Sequence, residues 1–321
     1  MIVVTGAAGF IGSYFAGYML REGFKDIVIV DDFSKDYKSL NHIDKKVTAK
    51  VERDDFFTWL DINQRFVQFV VHLGARTDTT EFNSSVFDTL NFNYSCKVWN
   101  KCCEYSIPLI YASSAATYGA GELGYSDDET KIPELRPLNP YGVSKNQFDI
   151  WALKQNDKPF FWTGLKFFNV YGPNEYHKSR MASVIFHSYN QICDSGRVKL
   201  FRSHRPDFKD GEQKRDFIYV ADVAKVIMFF MQTRKSSGIY NLGTGKARTF
   251  NDLIQSVFNS LGKKNSTDYI DIPVDIRDKY QYFTEADMKK LRKAGYSSEF
   301  CSLEDGINDY VKNYLINRKI F

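Results

Sequence analysis

Tyr141 and Lys145, in the segment Tyr-Gly-Val-Ser-Lys, are the residues whose types and spacing most clearly permit chemistry. Residues four apart lie on one face of a helix, so the phenol and the ammonium would be neighbours. A phenol has a reference pKa of about 10, and bringing it near neutrality takes roughly 3 pKa units, or about 4 kcal/mol. A nearby positive charge favours the phenolate. The pair predicts proton transfer at a substrate oxygen that the Ser114 hydroxyl would share, although the same spacing also occurs in helices without a catalytic role.

A strand and a helix must position these groups. Residues 108–112 are apolar and β-prone, and Ser113 and Ser114 end that predicted strand. Asn139-Pro140 interrupts the chain at the expected start of the helix. One face of that helix repeats at helical spacing, with Tyr141, Lys145, Phe148 and Ala152. The alternative for the two serines is that they only cap the turn that follows the strand.

The first residues predict a phosphate-binding turn. A short apolar strand, residues 2–4, runs into a glycine-rich segment and then into a helical pattern. That order is typical of the start of a Rossmann unit, in which glycines let the backbone approach a pyrophosphate and the helix N-terminus attracts it. The spacing is Gly-x-x-Gly-x-x-Gly, and the residues predicted to bind the dinucleotide here are Gly6, Gly9, Phe10, Ile11 and Gly12.

The second predicted strand leaves the choice of dinucleotide open. It covers residues 27–30 and ends in Asp31 and Asp32, and an acidic residue at this position favours NAD by binding the ribose. Lys38 and Arg53 follow nearby and would bind a 2′-phosphate, which favours NADP.

A buried parallel strand is predicted at residues 69–73, and the loop at its carboxyl end is where open α/β sheets place ligands. The predicted cofactor residues there are Leu73, Gly74, Ala75, Arg76 and Thr77. We interpret His72 as a core histidine. Asn91 either orients this loop near the nicotinamide or lies on a helix surface.

Composition excludes several classes of function. The chain has 321 residues, 43 basic and 39 acidic, with a net charge of +4, which does not indicate a nucleic-acid binder. Its 5 cysteines show no Cys-x-x-Cys spacing, so neither a metal site nor a disulfide framework is predicted. Neither a signal segment nor a membrane-length apolar run is apparent. We therefore expect a cytoplasmic protein without membrane or nucleic-acid partners.

The pattern predicts an α/β protein with a Rossmann-type doubly wound parallel sheet and a smaller mixed C-terminal substrate domain. We place the NAD(P)-binding domain at residues 1–168 plus about 215–245, and the substrate domain at 169–214 and 246–321. Helices are predicted at 249–261 and 284–293. Residues 197–215 form a basic stretch with interleaved aromatic residues. It is interpreted as a diphosphate clamp, the alternatives being nucleic-acid binding and a plain surface loop.

Five motifs together resemble the nucleotide-sugar epimerases of the extended short-chain dehydrogenase/reductase family. They are the glycine segment 6–12, the serine segment 113–119, the segment 141–145, Phe168-Asn-Val-Tyr-Gly-Pro173, and residues 215–223. Residues 175–184, 186–187, 284–287 and 291–296 resemble the subfamily of heptose 6-epimerases that act on ADP-linked glycero-manno-heptoses.

The resemblance implies epimerisation of an ADP-heptose at C6, through transient oxidation to an aldehyde and re-reduction with bound NADP (NAD being possible). It implies Tyr141 and Lys178 as two acid/bases, Ser114 assisting, and Lys145 binding the ribose and tuning Tyr141. Val170 and Lys178 join the cofactor residues. The implied substrate residues are Ser114, Asn169, Arg180, His187, Phe201, Arg202, Ser203, His204, Arg215 and Tyr280. It also implies a homo-oligomer, often a pentamer.

Other functions of the same fold stay open. A UDP-hexose 4-epimerase would not need Lys178. Sugar 4,6-dehydratases usually carry an Asp-Glu pair where Ala115 and Ala116 stand. A non-catalytic NADP-sensing protein would often lack the tyrosine or the lysine, and both are present.

Overall fold

The structure is a computed structural model that describes residues 1–79, 81, 83–277 and 280–321. In chain order its strands are β1 (Ile2–Thr5), β2 (Ile27–Asp31), β3 (Ala49–Glu52), β4 (Phe69–His72), β5 (Leu109–Ser114), β6 (Trp162–Phe167), β7 (Asn169–Tyr171), β8 (Val198–Phe201), β9 (Lys214–Tyr219), β10 (Gly238–Leu242), β11 (Ala247–Thr249) and β12 (Thr267–Ile270). The helices are α1 (Phe10–Arg21), α2 (Phe56–Asn63), α3 (Ser84–Phe87), α4 (Tyr94–Glu104), α5 (Pro140–Lys154), α6 (Val184–Ser195), α7 (Val220–Thr233), α8 (Phe250–Ser260), α9 (Val274–Arg277), α10 (Lys289–Lys293) and α11 (Leu303–Asp309).

Seven of these strands form one parallel sheet in the order β10-β6-β5-β4-β1-β2-β3. The apolar runs of β1, β2 and β4 are buried on both faces, as expected for a sheet covered by helices. The predicted Rossmann-type α/β fold is confirmed. The strand order reverses between β1 and β4, so the loops that follow these two strands border the crevice where such sheets bind ligands.

Two smaller sheets, β11-β9-β7 and β12-β8, lie outside the seven-stranded sheet. Strand β10 returns to the large sheet and pairs with β6, although β7, β8 and β9 intervene in the chain. The division into a cofactor domain and a substrate domain at the boundaries given above stays a prediction.

The helix predicted at 249–261 is α8, and Thr249 and Asp252 cap it reciprocally. The prediction of a helix at 284–293 was wrong for residues 284–288, because only Lys289–Lys293 is helical. The main chain of Thr284 instead donates to the carbonyl of Lys214 in β9, 3.2 Å away. In the part of the chain that the structure describes, every helix is too short or too polar to cross a bilayer.

Candidate functional site

The turn between β1 and α1 is shaped for close approach of a ligand. Gly6 has φ 69°, and a methyl group at Gly12 would lie 2.2 Å from the Gly6 carbonyl oxygen. Helix α1 begins after Gly9 without a side-chain cap. Its first N–H groups are therefore available to an anion, and the helix dipole favours negative charge there.

A cavity of about 390 Å³, here called the glycine-loop cavity, opens beside this turn. It collects most of the residues that the sequence assigns to the cofactor, namely Gly6, Gly9, Phe10, Ile11, Gly12, Asp31, Asp32, Lys38, Arg53, Leu73, Gly74, Ala75, Arg76, Thr77 and Lys178. Its size, its glycine turn and these residues fit a dinucleotide. The remaining predicted cofactor residues, Asn91, Lys145 and Val170, lie elsewhere in the site.

Charges of both signs meet at the edge of the glycine-loop cavity. The Asp31 carboxylate accepts from the main chain of Ala8 at 2.9 Å and pairs with the Lys38 ammonium at 3.3 Å. Lys35, Lys38 and Arg53 all line the cavity. The Asp31 carboxylate therefore braces the glycine turn, and three cations line the same cavity.

A second cavity of about 320 Å³, here called the tyrosine cavity, is lined by Ser114, Tyr141, Lys145, Asn169, Val170 and Lys178. It shares a wall with the glycine-loop cavity. The residues that line both are Phe10, Ile11, Leu73, Ala75, Thr77, Lys178 and Met181. The two cavities are therefore adjacent, and Lys178 faces both.

Tyr141 lies in the first turn of α5, whose start is capped by the Asn139 side chain accepting from the main chain of Gly142 at 2.8 Å. Burial raises the pKa of Tyr141, and a hydrogen bond with the Ser114 hydroxyl partly offsets that rise. Lys145 donates to the Ala112 carbonyl at 2.8 Å, and burial lowers its pKa to about 8. The protein alone does not lower the pKa of Tyr141, so the shift predicted from sequence needs a further positive charge.

A fully buried network lies behind Ser114. The Lys166 ammonium lies 2.7 Å from Asp149 and also donates to the Thr117 hydroxyl at 2.8 Å. Thr117 in turn donates to the Ser114 carbonyl at 2.8 Å. The Ser114 hydroxyl accepts from the main chain of Ala116, so this serine caps the turn as well as facing the tyrosine cavity. The network joins β5, β6 and α5 at the point where Ser114 and Tyr141 meet.

Lys178 lies on the short turn Tyr176–Met181 that follows β7. Burial lowers its pKa, the Lys38 charge lowers it further, and the Glu175 carboxylate opposes the shift. A half-buried amine whose pKa is lowered in this way is closer to its neutral form than a surface lysine, which suits a proton acceptor.

Asn91 orients the loop after β4. Its side chain accepts from the main chain of Arg76 at 2.8 Å, donates to the Arg76 carbonyl at 3.0 Å, and donates to the Ser144 hydroxyl at 3.0 Å. The interpretation of His72 as a core histidine is confirmed, because its ring nitrogens contact the hydroxyls of Thr5 and Ser95.

A third cavity, of about 250 Å³, borders the tyrosine cavity, since Val184 and Phe250 line both. It is lined by four predicted substrate residues, His187, Phe201, Arg215 and Tyr280. The buried Arg215 guanidinium lies over the rings of Phe250 and Tyr280 and donates to main-chain carbonyls. Its further N–H groups suit an anionic ligand.

The other four predicted substrate residues, Arg180, Arg202, Ser203 and His204, are not among the described residues that line these three cavities. Arg180 is exposed. Arg202 pairs with Asp271 at 3.4 Å, and the His204 Nε2 lies 3.2 Å from the donating main chain of Ile272. Their contact with substrate stays a prediction.

Sequence reasoning missed several residues. Lys35, Tyr37, His177 and Met181 line the glycine-loop cavity, and Glu175 lines the tyrosine cavity. Asp149 and Lys166 support Ser114 from behind. For His177 the neighbouring Lys178 was a usable signal, whereas the Asp149–Lys166 contact joins separate elements and leaves no local trace in the sequence.

A glycine turn at the switch point of a parallel sheet, beside a serine, a tyrosine and a lysine, defines an extended short-chain dehydrogenase/reductase. A family model described as the NAD dependent epimerase/dehydratase family matches residues 2–243, and the chain belongs to that family.

Comparisons with three individual proteins show which members of the family the chain is similar to. The chain is 49% identical over 325 residues to a Fusobacterium nucleatum protein named ADP-L-glycero-D-manno-heptose-6-epimerase, covering 98% of each chain. A protein of the same name from Nitratidesulfovibrio vulgaris is 46% identical over 318 residues, again with 98% of each chain covered. The crystal structure of the Helicobacter pylori protein of that name superposes with a TM-score of 0.82 at 28% identity, over 97% of this chain and 95% of that one.

Proposed function

We propose that the protein interconverts the C6 epimers of an ADP-linked glycero-manno-heptose. The observation that carries the proposal is that Tyr141 and Lys178, on different elements, line one cavity. When the aldehyde rotates, its C6 oxygen moves to a new position that one fixed base cannot reach. Two acid/base groups in one cavity can reach both positions of that oxygen. The names of the relatives at 49% and 46% identity support the same substrate.

The cofactor of this reaction is proposed to be NADP, with NAD as the alternative. When bound, the dinucleotide would supply a hydride acceptor and donor and, in its oxidised form, a positive charge. The residues to hold it are the glycine turn, the cations Lys35, Lys38 and Arg53, and Lys145. The three cations favour a 2′-phosphate.

The protein's own side chains move the protons. With the C6 hydroxyl facing Tyr141, the phenolate oxygen takes its proton as the carbonyl forms. Ser114 donates a hydrogen bond to the same oxygen and holds it in place. After the aldehyde has turned, the Lys178 ammonium gives a proton to the oxygen in its other orientation, and in the reverse direction the neutral amine accepts it. Lowering of the Lys178 pKa by burial supports this role.

The third cavity is proposed to hold the ADP portion of the substrate. The buried Arg215 would pair with a phosphate, and the rings of Phe201 and Tyr280 offer surfaces for a base. Arg180, Arg202, Ser203 and His204 would reach the ligand only after their loops move.

Lys178→Met is the direct test of the two-base assignment. The variant is expected to lose at least about 100-fold in epimerisation, the contribution typical of a positioned acid/base, while keeping its bound nucleotide. Interconversion of the two epimers is followed by NMR. Lys289→Met, which removes an exposed lysine, is the matched control for charge. Full activity in Lys178→Met would refute the assignment.

Supplying ADP-heptose and UDP-galactose separately, with NMR detection, separates the proposal from a UDP-hexose 4-epimerase. Mass analysis of the nucleotide released on denaturation distinguishes NADP from NAD. We further propose a cytoplasmic location, which the five free thiols support. A homo-oligomer, pentameric by resemblance, is also proposed, and light scattering of the purified protein tests it.

A further inference from the structure

Lys178 is carried by an irregular segment, residues 172–183, between β7 and α6. Two non-glycine residues in this segment have positive φ angles, Asn174 at 78° and Ser179 at 47°. Such backbone conformations are costly for residues with a side chain and persist only where surrounding contacts hold them. The contacts that hold this segment therefore decide where the Lys178 amine lies.

Glu175 joins the two ends of the segment. Its side chain is 1% exposed. One carboxylate oxygen accepts from the main chain of Gly172 at 3.4 Å and from the Ser183 hydroxyl at 2.7 Å. The other oxygen accepts from the main chain of Ser183 at 2.5 Å. A buried carboxylate is tolerated when donors surround it in this way.

The same contacts continue into the neighbouring elements. The Ser183 hydroxyl that donates to Glu175 also accepts from the main chain of Phe186, and so caps the start of α6. The carbonyl of Glu175 accepts from the main chain of Lys178 at 2.9 Å, which begins the turn that bears the amine. Glu175 thus fixes the segment through both its side chain and its main chain.

On its other side the segment is attached to the nucleotide-binding elements. The Asn174 side chain donates to the Ser13 hydroxyl of α1 at 3.0 Å. The Asn41 side chain donates to the Asn174 carbonyl at 3.1 Å and lies 3.1 Å from Nδ1 of His177. These contacts attach the segment to α1 and to Asn41, whereas the Glu175 side chain joins the two ends of the segment beside the tyrosine cavity.

We infer that Glu175 is a positioning residue whose carboxylate holds the Lys178 amine in the wall between the two cavities. The inference rests on the proposed function, in which Lys178 transfers a proton. A displacement of about 1 Å in a reacting group can cost about 100-fold in rate. Glu175 lines the tyrosine cavity, where the proton is transferred, and does not line the third cavity proposed for the ADP portion. Its loss should therefore lower kcat and leave the KM for the sugar nucleotide nearly unchanged.

The variant Glu175→Gln keeps the shape of the side chain and replaces one acceptor oxygen with a donor. The two N–H groups of Gly172 and Ser183 bind different carboxylate oxygens, so an amide in the same position can accept from only one of them and presents its own N–H group to the other. We expect faster amide hydrogen exchange in peptides from residues 172–183, a kcat about 100-fold lower, and little change in KM. Glu299→Gln, at an exposed position, is the control for the lost charge.

Native exchange in this segment, or native kcat with faster exchange, would overturn the inference. Should Glu175→Gln fail to fold, Ser183→Ala removes one of the donors to Glu175 and retains the carboxylate. It should show the same two changes to a smaller degree, and a native result there counts against the inference equally. A fully active Lys178→Met variant overturns the proposed function and the inference together. An inactive Lys178→Met beside a native Glu175→Gln overturns the inference alone.

Discussion

Replacing Lys166 with methionine should destabilise the protein through the charge left behind. Neither the Lys166 nor the Asp149 side chain is exposed, and the ammonium lies 2.7 Å from the carboxylate. Asp149 also accepts from the hydroxyls of Ser113 at 2.6 Å and Tyr111 at 3.0 Å. Lys166→Met keeps most of the buried volume, so the main change is a buried carboxylate that keeps two neutral donors and loses its paired ammonium.

Removing one partner of a buried ion pair typically costs roughly 3–5 kcal/mol, because the remaining charge is uncompensated. An unfolding entropy of about 2.1 cal/mol/K per residue over 321 residues gives about 0.67 kcal/mol/K. The melting temperature should therefore fall by about 4–7 °C. Adding Asp149→Asn removes the stranded charge, and the double variant should recover most of the loss.

Calorimetry of the two single variants and the double variant measures this coupling. The reasoning predicts that the double variant is more stable than Lys166→Met alone. An unchanged melting temperature in Lys166→Met would refute it. A double variant whose loss equals the sum of the two single losses would show instead that each side chain acts independently.

Three further outcomes are expected. Gly12→Ala should abolish copurification of a nucleotide, because its methyl would lie 2.2 Å from the Gly6 carbonyl oxygen. The control Gly23→Ala, in open space at φ 88°, should retain the nucleotide. Retention of the nucleotide in both variants would contradict the assignment of the glycine turn to nucleotide binding. Burial lowers the pKa of His72 to about 3, so the unfolded chain, with a histidine pKa near 6.5, binds the proton first. Stability should fall by up to roughly 1.4 kcal/mol per pH unit as the pH drops from about 6.5 towards 3. His72→Gln should flatten that slope in urea titrations at several pH values, and parallel slopes would argue against it. Lys38→Ala should weaken NADP binding by about 10–100-fold and NAD binding less, because it removes a charge-assisted hydrogen bond to the 2′-phosphate. Calorimetric titration measures both affinities. Equal losses for the two dinucleotides would exclude a contact between Lys38 and the 2′-phosphate.

Local patterns in the sequence predicted the parts of the site that local spacing determines. The glycine turn, the face of α5 that bears Tyr141 and Lys145, and the loop after β4 all follow from short motifs on regular elements. Asn91 was predicted as an orienting side chain or a surface residue, and its hydrogen bonds to Arg76 match the first alternative.

Long-range contacts were beyond that reasoning. Nothing in the local sequence distinguishes Lys166, because its partner Asp149 lies on the neighbouring helix α5. A helix was predicted to begin at Thr284, but the main chain of Thr284 pairs with β9 instead. Arg202 pairs with Asp271 and His204 accepts from the main chain of Ile272, and neither residue lines any of the three cavities described above. In each case the partner is distant in sequence, and no spacing rule identifies it.

The position of β10 affects both the synthesis of the chain and the behaviour of truncated fragments. It covers the outer edge of β6 and is synthesised only after the residues of β7, β8, β9 and α7. Until then a nascent chain presents the open row of N–H and C=O groups of β6, which is a template for pairing with other chains. A fragment that ends at the predicted domain boundary, near residue 168, would keep the unpaired edge of β6 exposed. We therefore expect such a fragment to aggregate rather than to form a soluble folded domain.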